Sequence, residues 1–135
     1  MIIRELRRED LDAIVDVLKE LWIISEITEK TYDRIMSNDN FVFVAVHENE
    51  IIGCATLHLQ HKFINNGCTA GFIEEVIVKE KYRGNSIGKE LIDKCVEKAK
   101  ELKCYKAVLS CEDDIRAFYE KLGFRYNMNF MRKDL

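Results

Sequence analysis

Hydrophobic positions along the chain change period from segment to segment. Leu11, Ile14, Val15, Leu18, Leu21 and Trp22 recur at helical spacing behind Asp10, which predicts an amphipathic helix with Asp10 as its N-cap. Residues 28–36 predict a shorter helix, in which charged side chains separate Tyr32, Ile35 and Met36; the polar run SNDN then ends it. Residues 41–46, FVFVAV, and residues 51–60, IIGCATLHLQ, are rich in β-branched and aromatic residues and flank the polar turn HENE, which predicts a β-hairpin. After the polar loop KFINNGCTAG, residues 72–78, FIEEVIV, predict a third strand. Ile87, Leu91, Ile92, Cys95, Val96, Ala99 and Leu102 then lie on one face of a long helix whose other face carries Lys and Glu. Residues 104–111 predict a strand, and DIRAFYEKLGF a short helix stopped by Gly123. The alternation in FRYNMNFMRKDL predicts a last strand.

The strand, helix and strand at residues 72–111 form a βαβ crossover, which wants parallel strands and a right-handed connection, whereas the hairpin before it is antiparallel. The expected fold is therefore α/β (α+β): a mixed, mostly antiparallel central sheet with one parallel crossover and helices on both faces. At 135 residues, with no proline and no Gly/Ser-rich linker, residues 1–135 read as a single domain.

Composition narrows the function classes. Hydrophobic residues make up 47% and charged residues 33% of the chain, a mixture expected of a soluble protein. Net charge is −3 and the 21 Lys and Arg are dispersed, so no basic face tracks a phosphate backbone and no nucleic-acid partner is expected. Apolar runs fall far short of the ~20 residues that span a bilayer. The N-terminal stretch mixes acids with bases, so no signal or transit peptide and no membrane partner are expected. Five cysteines without a C-x-x-C pair, and His47, His58 and His61 without shared spacing, suggest neither a metal site nor a nucleophile dyad. Four of the cysteines, Cys54, Cys95, Cys104 and Cys111, sit in apolar patterns and are expected in the core; Cys68, in a loop, is the one to watch for reactivity. Reduced, cytoplasmic surroundings follow as the expectation.

One stretch carries candidate chemistry. In YRGNSIGKELIDKCVEKAKEL a glycine-containing loop runs straight into the long helix. A helix N-terminus presents unpaired N–H groups and the positive end of the helix dipole, a ready site for a phosphate or pyrophosphate. Gly84 allows a bend, Gly88 a close approach, Arg83 and Lys89 add charge, and Asn85 and Ser86 add donors. The other reading is a turn that merely caps the helix. The spacing fits neither a P-loop nor a dinucleotide fingerprint.

The loop Arg83-Gly84-Asn85-Ser86-Ile87-Gly88, lying between FIEEVIVKEKY and a later RAFYEKLGF, resembles the pyrophosphate loop of the GNAT superfamily of acetyl-CoA-dependent N-acetyltransferases. Within that superfamily, KFI, IEEVIV, GKELID, CYKAVLSC and FYEKLGF are similar to runs of the glucosamine 6-phosphate N-acetyltransferases. The resemblance covers nearly the whole chain. It implies acetyl-CoA as cosubstrate, no metal, a small-molecule amine as acceptor and a homodimer. It implies that Arg83, Gly84, Asn85, Ser86, Ile87, Gly88 and Lys89 hold the pyrophosphate, and that Val76 and Val78 offer backbone groups to the pantetheine arm and the thioester. Tyr119 would lie at the sulfur and protonate the leaving thiolate. Glu74 or Glu75 would take the amine proton and contact the acceptor, together with Trp22, Lys62, Asn65 and Ser110.

Strict strand alternation would put Glu74 and Glu75 on opposite faces unless the strand bulges. Ser86 stands where such loops usually have glycine, so that turn must avoid a left-handed backbone or accept strain. Trp22, Phe72 and Ser110 depart from the polar or acidic residues expected near an amino sugar. An acceptor other than glucosamine 6-phosphate, and a non-catalytic acyl-CoA-binding module, remain open.

Overall fold

A computed structural model describes residues 1–135. Strands β1 (Ile2–Glu5), β2 (Asn40–His47), β3 (Glu50–His61), β4 (Thr69–Val78) and β5 (Ala107–Val108) form one sheet in the order β1-β2-β3-β4-β5. The first three pairings are antiparallel, and β4 pairs with β5 in parallel, Gly71 opposite Ala107 and Phe72 opposite Val108. Helices α1 (Leu11–Leu18) and α2 (Glu29–Met36) cover one face; α4 (Ile87–Glu101) covers the other. A single turn, α3 (Ile64–Gly67), the short α5 (Arg116–Lys121) and three 3₁₀ turns at Arg8–Asp10, Glu80–Tyr82 and Asp113–Ile115 complete the chain's elements.

Two cores follow from that layering. Phe43, Ile52, Leu57 and Ile73 from the sheet pack against Leu91, Ile92, Cys95 and Ala99 of α4. Val42, Val44, Cys54 and Ile77 pack against Ile14, Val17 and Leu18 of α1. Leu91 and Ile92 are wholly buried, and burial of a side chain this size is worth ~1.5–3 kcal/mol. The face predicted for α4 is the buried one except at Val96, which is half-buried, and at Leu102, which lies just past the helix and is exposed.

Several expectations are corrected. The N-terminal residues form β1, which the charged Arg4 and Glu5 disguise in a strand of only four residues. Helix α1 stops at Leu18, so Leu21 and Trp22 lie beyond it and are exposed. Asp10 does not cap α1. Its buried carboxylate instead accepts the Arg7 N–H at 2.7 Å and two bonds from the Arg4 guanidinium, at 2.7 and 3.0 Å. The strand predicted over residues 104–111 shrinks to Ala107 and Val108. Residues 124–135 form no strand, because a β-strand needs a partner edge and β5 offers only two residues. Cys111 is exposed and Cys104 half-buried, while Cys54 and Cys95 are core residues as expected. Gly123 ends α5 with φ of +92°, the left-handed stop its type allows.

Candidate active site

Thr56 of β3 pairs with Glu74 and Cys54 pairs with Ile77, so Glu75 and Val76 together oppose the single residue Ala55. This is a β-bulge, and Glu75 at φ of +52° carries its left-handed backbone. The extra residue reverses which side chains face which helix. Ile73 belongs to the α4 core and Ile77 to the α1 core, although strict alternation would put both on the same face. Val76 and Val78 then turn toward α4, and Glu74 and Glu75 share the α1 side. The Cys54 thiol donates to the Glu75 carbonyl at 3.5 Å across the bulge.

Glu75 stands in the wall of a cavity of about 230 Å³ bounded by α1, α2 and the segment between them. Its carboxyl reaches solvent, but the surrounding protein removes water and Glu74 adds a second negative charge; burial first, then that repulsion, hold its pKa above the usual carboxylate value. A group so placed takes up a proton more readily than an ordinary surface carboxylate.

On the opposite side lies a groove of about 640 Å³ between β4, the 82–89 loop and α5. Val76 and Val78 form one wall, Phe118 and Tyr119 another, and Arg83, Gly84, Ser86, Ile87, Gly88 and Lys89 its end. The Tyr119 ring is buried, edge-on to Phe118 and Phe124. Tyr119 lines the groove, and its hydroxyl is not a fully buried group lacking a partner. Burial, then the nearby Cys111 thiol, raise the Tyr119 pKa, so the hydroxyl stays protonated and able to donate.

The loop is built to leave the α4 N-terminus free. Ser86 is its N-cap by position, at φ of +61°, yet its side chain makes no capping bond to the first turn. It therefore accepts the strain of a left-handed backbone, roughly 1–3 kcal/mol for a non-glycine residue. Asn85 does not cap either; its amide donates to the carbonyls of Tyr82 at 3.0 Å and Arg83 at 3.4 Å, and it does not line the groove. The capping reading of the loop thus fails for both residues. At Gly88 an added Cβ would meet nothing closer than Phe118 at 3.5 Å, so the chain itself does not require glycine there. The open side of that position is the groove, and a ligand phosphate approaching the helix N-terminus would occupy the space a side chain would fill.

Two residues without a sequence signal fix this loop. Glu50, at the start of β3, accepts from Lys79 at 2.8 Å and from the Tyr82 hydroxyl at 2.8 Å, with Lys81 at 3.3 Å. The Lys79 and Tyr82 bonds hold the Glu50 carboxyl at about 2. Glu20, just past α1, accepts the Glu80 N–H at 2.8 Å and pairs with Arg83 at 3.5 Å. Arg83 also donates from Nε to the Val78 carbonyl at 2.9 Å. Their partners lie tens of residues away, so local patterning carried no hint of them.

The Acetyltransferase (GNAT) family model matches residues 5–124. The chain belongs to that family. An acetyltransferase of known structure from Trypanosoma brucei superposes with a TM-score of 0.95 at 33% identity, covering 99% of each chain. Glucosamine-6-phosphate N-acetyltransferase from Arabidopsis thaliana superposes with a TM-score of 0.90 at 29% identity, covering 98% of this chain and 97% of that one. A probable glucosamine 6-phosphate N-acetyltransferase from Drosophila melanogaster is 35% identical over 132 residues, 92% of this chain and 60% of the fly protein. This GNAT chain therefore spans somewhat less than two thirds of that relative.

The remaining expected acceptor residues of this GNAT chain are not gathered at Glu75. Trp22 is exposed beyond α1, Ser110 exposed beyond β5, and Lys62 half-buried beside α3. Asn65 is exposed within α3 and left-handed. None of them lines the cavity or the groove, and Glu74 lines neither.

Proposed function

We propose that this chain transfers the acetyl group of acetyl-CoA to the primary amine of glucosamine 6-phosphate by direct attack within a ternary complex. The observation that carries the reading is the bulge in β4, which turns Glu75 to one side of the strand and the Val76–Val78 wall with Tyr119 to the other. A base and an acid on opposite sides of one strand match a reaction in which a nitrogen loses a proton and a sulfur gains one. The names of the relatives supply the acceptor. Acetyl-CoA supplies the acyl group as cosubstrate.

In this reading the free N–H groups at the start of α4, with Arg83 and Lys89, bind the pyrophosphate, and the residues 76–78 backbone orients the pantetheine arm and the thioester carbonyl. Glu75 accepts a proton from the acceptor amine, and Glu74 makes it a better base. Tyr119 gives its hydroxyl proton to the sulfur as the C–S bond breaks. Burial pushes the Cys54 and Cys95 thiols up to about 12, which removes two nucleophiles and favours direct transfer over an acyl-enzyme. Trp22, Lys62, Asn65 and Ser110 lie outside the cavity and the groove and are assigned to the part of the acceptor that projects beyond them, and the cytoplasm is the assigned compartment. A homodimer is proposed on the alternating residues 124–135, where Tyr126, Met128, Phe130 and Met131 stand exposed.

The test is release of free CoA thiol from acetyl-CoA on adding glucosamine 6-phosphate, with the N-acetylated sugar phosphate identified by mass. Turnover supports the reading. Acetyl-CoA binding without thiol release at millimolar sugar phosphate sinks the acceptor, and absence of acetyl-CoA binding sinks the transferase.

A further inference from the structure

The cavity on the α1 side of β4 differs chemically from a sugar-phosphate site. Eleven of its fourteen lining residues are hydrophobic, among them Leu18, Ile24, Ile27, Ile35 and Met36, and none is Lys, Arg or His. Glu75 is the only carboxylate in the lining, Thr31 and Thr56 are the other two polar residues, and Tyr32, one of the eleven, adds a phenol hydroxyl. A phosphate dianion and most sugar hydroxyls buried inside the cavity would lose hydration for few partners, a cost of roughly 1–3 kcal/mol per unpaired neutral group and far more for a charge, so glucosamine 6-phosphate would present its amine to Glu75 with its body outside the cavity. An ammonium carried on an apolar body meets the opposite circumstances, with one carboxylate for the charge and aliphatic walls for the rest. Size agrees with this: a dry apolar cavity of ~150 Å³ already takes up benzene, and this one measures about 230 Å³.

We propose that the chain has a second class of acceptor, primary amines bearing a compact apolar group of about the size of a phenylethyl chain, with the ammonium at Glu75 and the apolar body in the cavity. The inference rests on the acetyltransferase reading above and extends it to the acceptor side of the same strand. Glu75 and Val76 are consecutive, so an amine held by the first stands beside the wall of the groove that the second lines. The nitrogen lone pair forms the C–N bond to the thioester carbonyl carbon, and the C–S bond breaks with its electron pair going to sulfur. The ammonium gives up two protons in all. One leaves through Glu75 to water, and one proton reaches the sulfur from Tyr119, whose hydroxyl is reprotonated by the other. The products are an N-substituted acetamide and the free thiol.

Phenylethylamine is the probe, and Ile27→Trp the variant, since Ile27 is half-buried in the segment between α1 and α2 and can enlarge into the cavity from its rim. Ile35→Phe fills the same space from α2 should the first variant fail to fold, and CoA binding in the groove reports folding for both. Calorimetry is expected to show phenylethylamine binding that Ile27→Trp weakens by roughly tenfold, or ~1.4 kcal/mol. Thiol release with that amine is expected to fall in parallel, while the CoA affinity stays unchanged. Absence of phenylethylamine binding, or binding indifferent to both variants, overturns the proposal. Acetylation of glucosamine 6-phosphate but not of bound phenylethylamine overturns it too and spares the transferase. Binding that the variants abolish, with transfer to neither amine, supports the cavity assignment and brings down the transferase reading instead.

Discussion

Gly84 and Gly88 are four residues apart and have different reasons to be glycine. Gly84 has φ of +82° with open space around it, so Gly84→Ala is expected to strain the backbone by ~1–2 kcal/mol. Gly88 has ordinary helical geometry and room for a methyl group on the side of the chain. Alanine favours a helix over glycine by ~1 kcal/mol, so Gly88→Ala is expected to leave the melting temperature unchanged or raised. The same methyl group projects toward the groove, and the variant's acetyl-CoA dissociation constant is expected to rise roughly tenfold, ~1.4 kcal/mol, as titration calorimetry would measure. A destabilised Gly88→Ala with unaltered affinity would contradict this division of labour. Tyr119 offers a second separation of fold from chemistry. Its ring packs between Phe118 and Phe124, so Tyr119→Phe keeps the packing and removes only the proton donor. Loss of a general acid costs ~10²-fold or more in rate; kcat is expected to fall by that order while the KM for acetyl-CoA holds, and a raised KM with kcat unchanged would point to a binding role instead.

At the scale of elements, the bulge in β4 decides what the carboxylates can do. A rate that depends on ionised Glu75 rises with pH, and because its pKa is held above the ordinary carboxylate value, the acid limb of kcat/KM is expected to lie at higher pH than for a free glutamate. Glu75→Gln should abolish that limb along with most of the activity. A pH profile in Glu75→Gln that matches the wild type would remove Glu75 from the base role. Much of this architecture was legible in the sequence: the apolar face of α4, the β2-β3 hairpin, the parallel crossover to β5 and the glycine stop after α5 all follow from local period and turn chemistry. The bulge was not, because the run FIEEVIV reads as simple alternation until the pairing with β3 shows two residues opposite Ala55. Ser86 was visible only as a departure from glycine. That it takes the left-handed conformation without capping α4 depends on the loop around it, which Glu20 and Glu50 hold from elsewhere in the chain. The strand expected over residues 124–135 failed for a related reason, since alternation specifies a strand's faces but not its partner.

For the molecule as a whole, that unpaired segment and the acid side of the stability curve are the two places where behaviour beyond a single site can be measured. Glu50 titrates at about 2 in the folded chain against an ordinary value of 4.5, and Asp10 is lowered as well by its bonds to Arg4 and the Arg7 N–H. A depressed folded pKa means the unfolded chain binds protons first. The stability these carboxylates contribute is thus complete above the ordinary value and lost as pH falls through the folded one, for Glu50 between 4.5 and about 2. Glu75 has the opposite sign: its raised pKa makes ionisation a cost, present above the folded value and absent below the unfolded one. Glu50→Gln is expected to flatten the loss of melting temperature across that acid window and to loosen the turn that Lys79 and Tyr82 brace, so acetyl-CoA affinity at neutral pH should decline as well. The apolar side chains of residues 124–135 call for a separate explanation. Tyr126, Met128, Phe130 and Met131 alternate with or adjoin polar residues and are each more than half exposed, at 57%, 68%, 72% and 91%. Phe72 reaches the Phe130 ring at 6.2 Å between centroids, which tethers the segment near β4 without pairing its backbone. A second copy that supplied the missing strand edge would satisfy those backbone groups and cover the apolar face together. Light scattering is expected to give a dimer mass for the wild type and a monomer mass for Met128→Lys combined with Phe130→Glu, with the fold of the separated chain preserved because neither side chain belongs to either core. A wild-type monomer would leave those four side chains without the partner that dimerisation assigns to them.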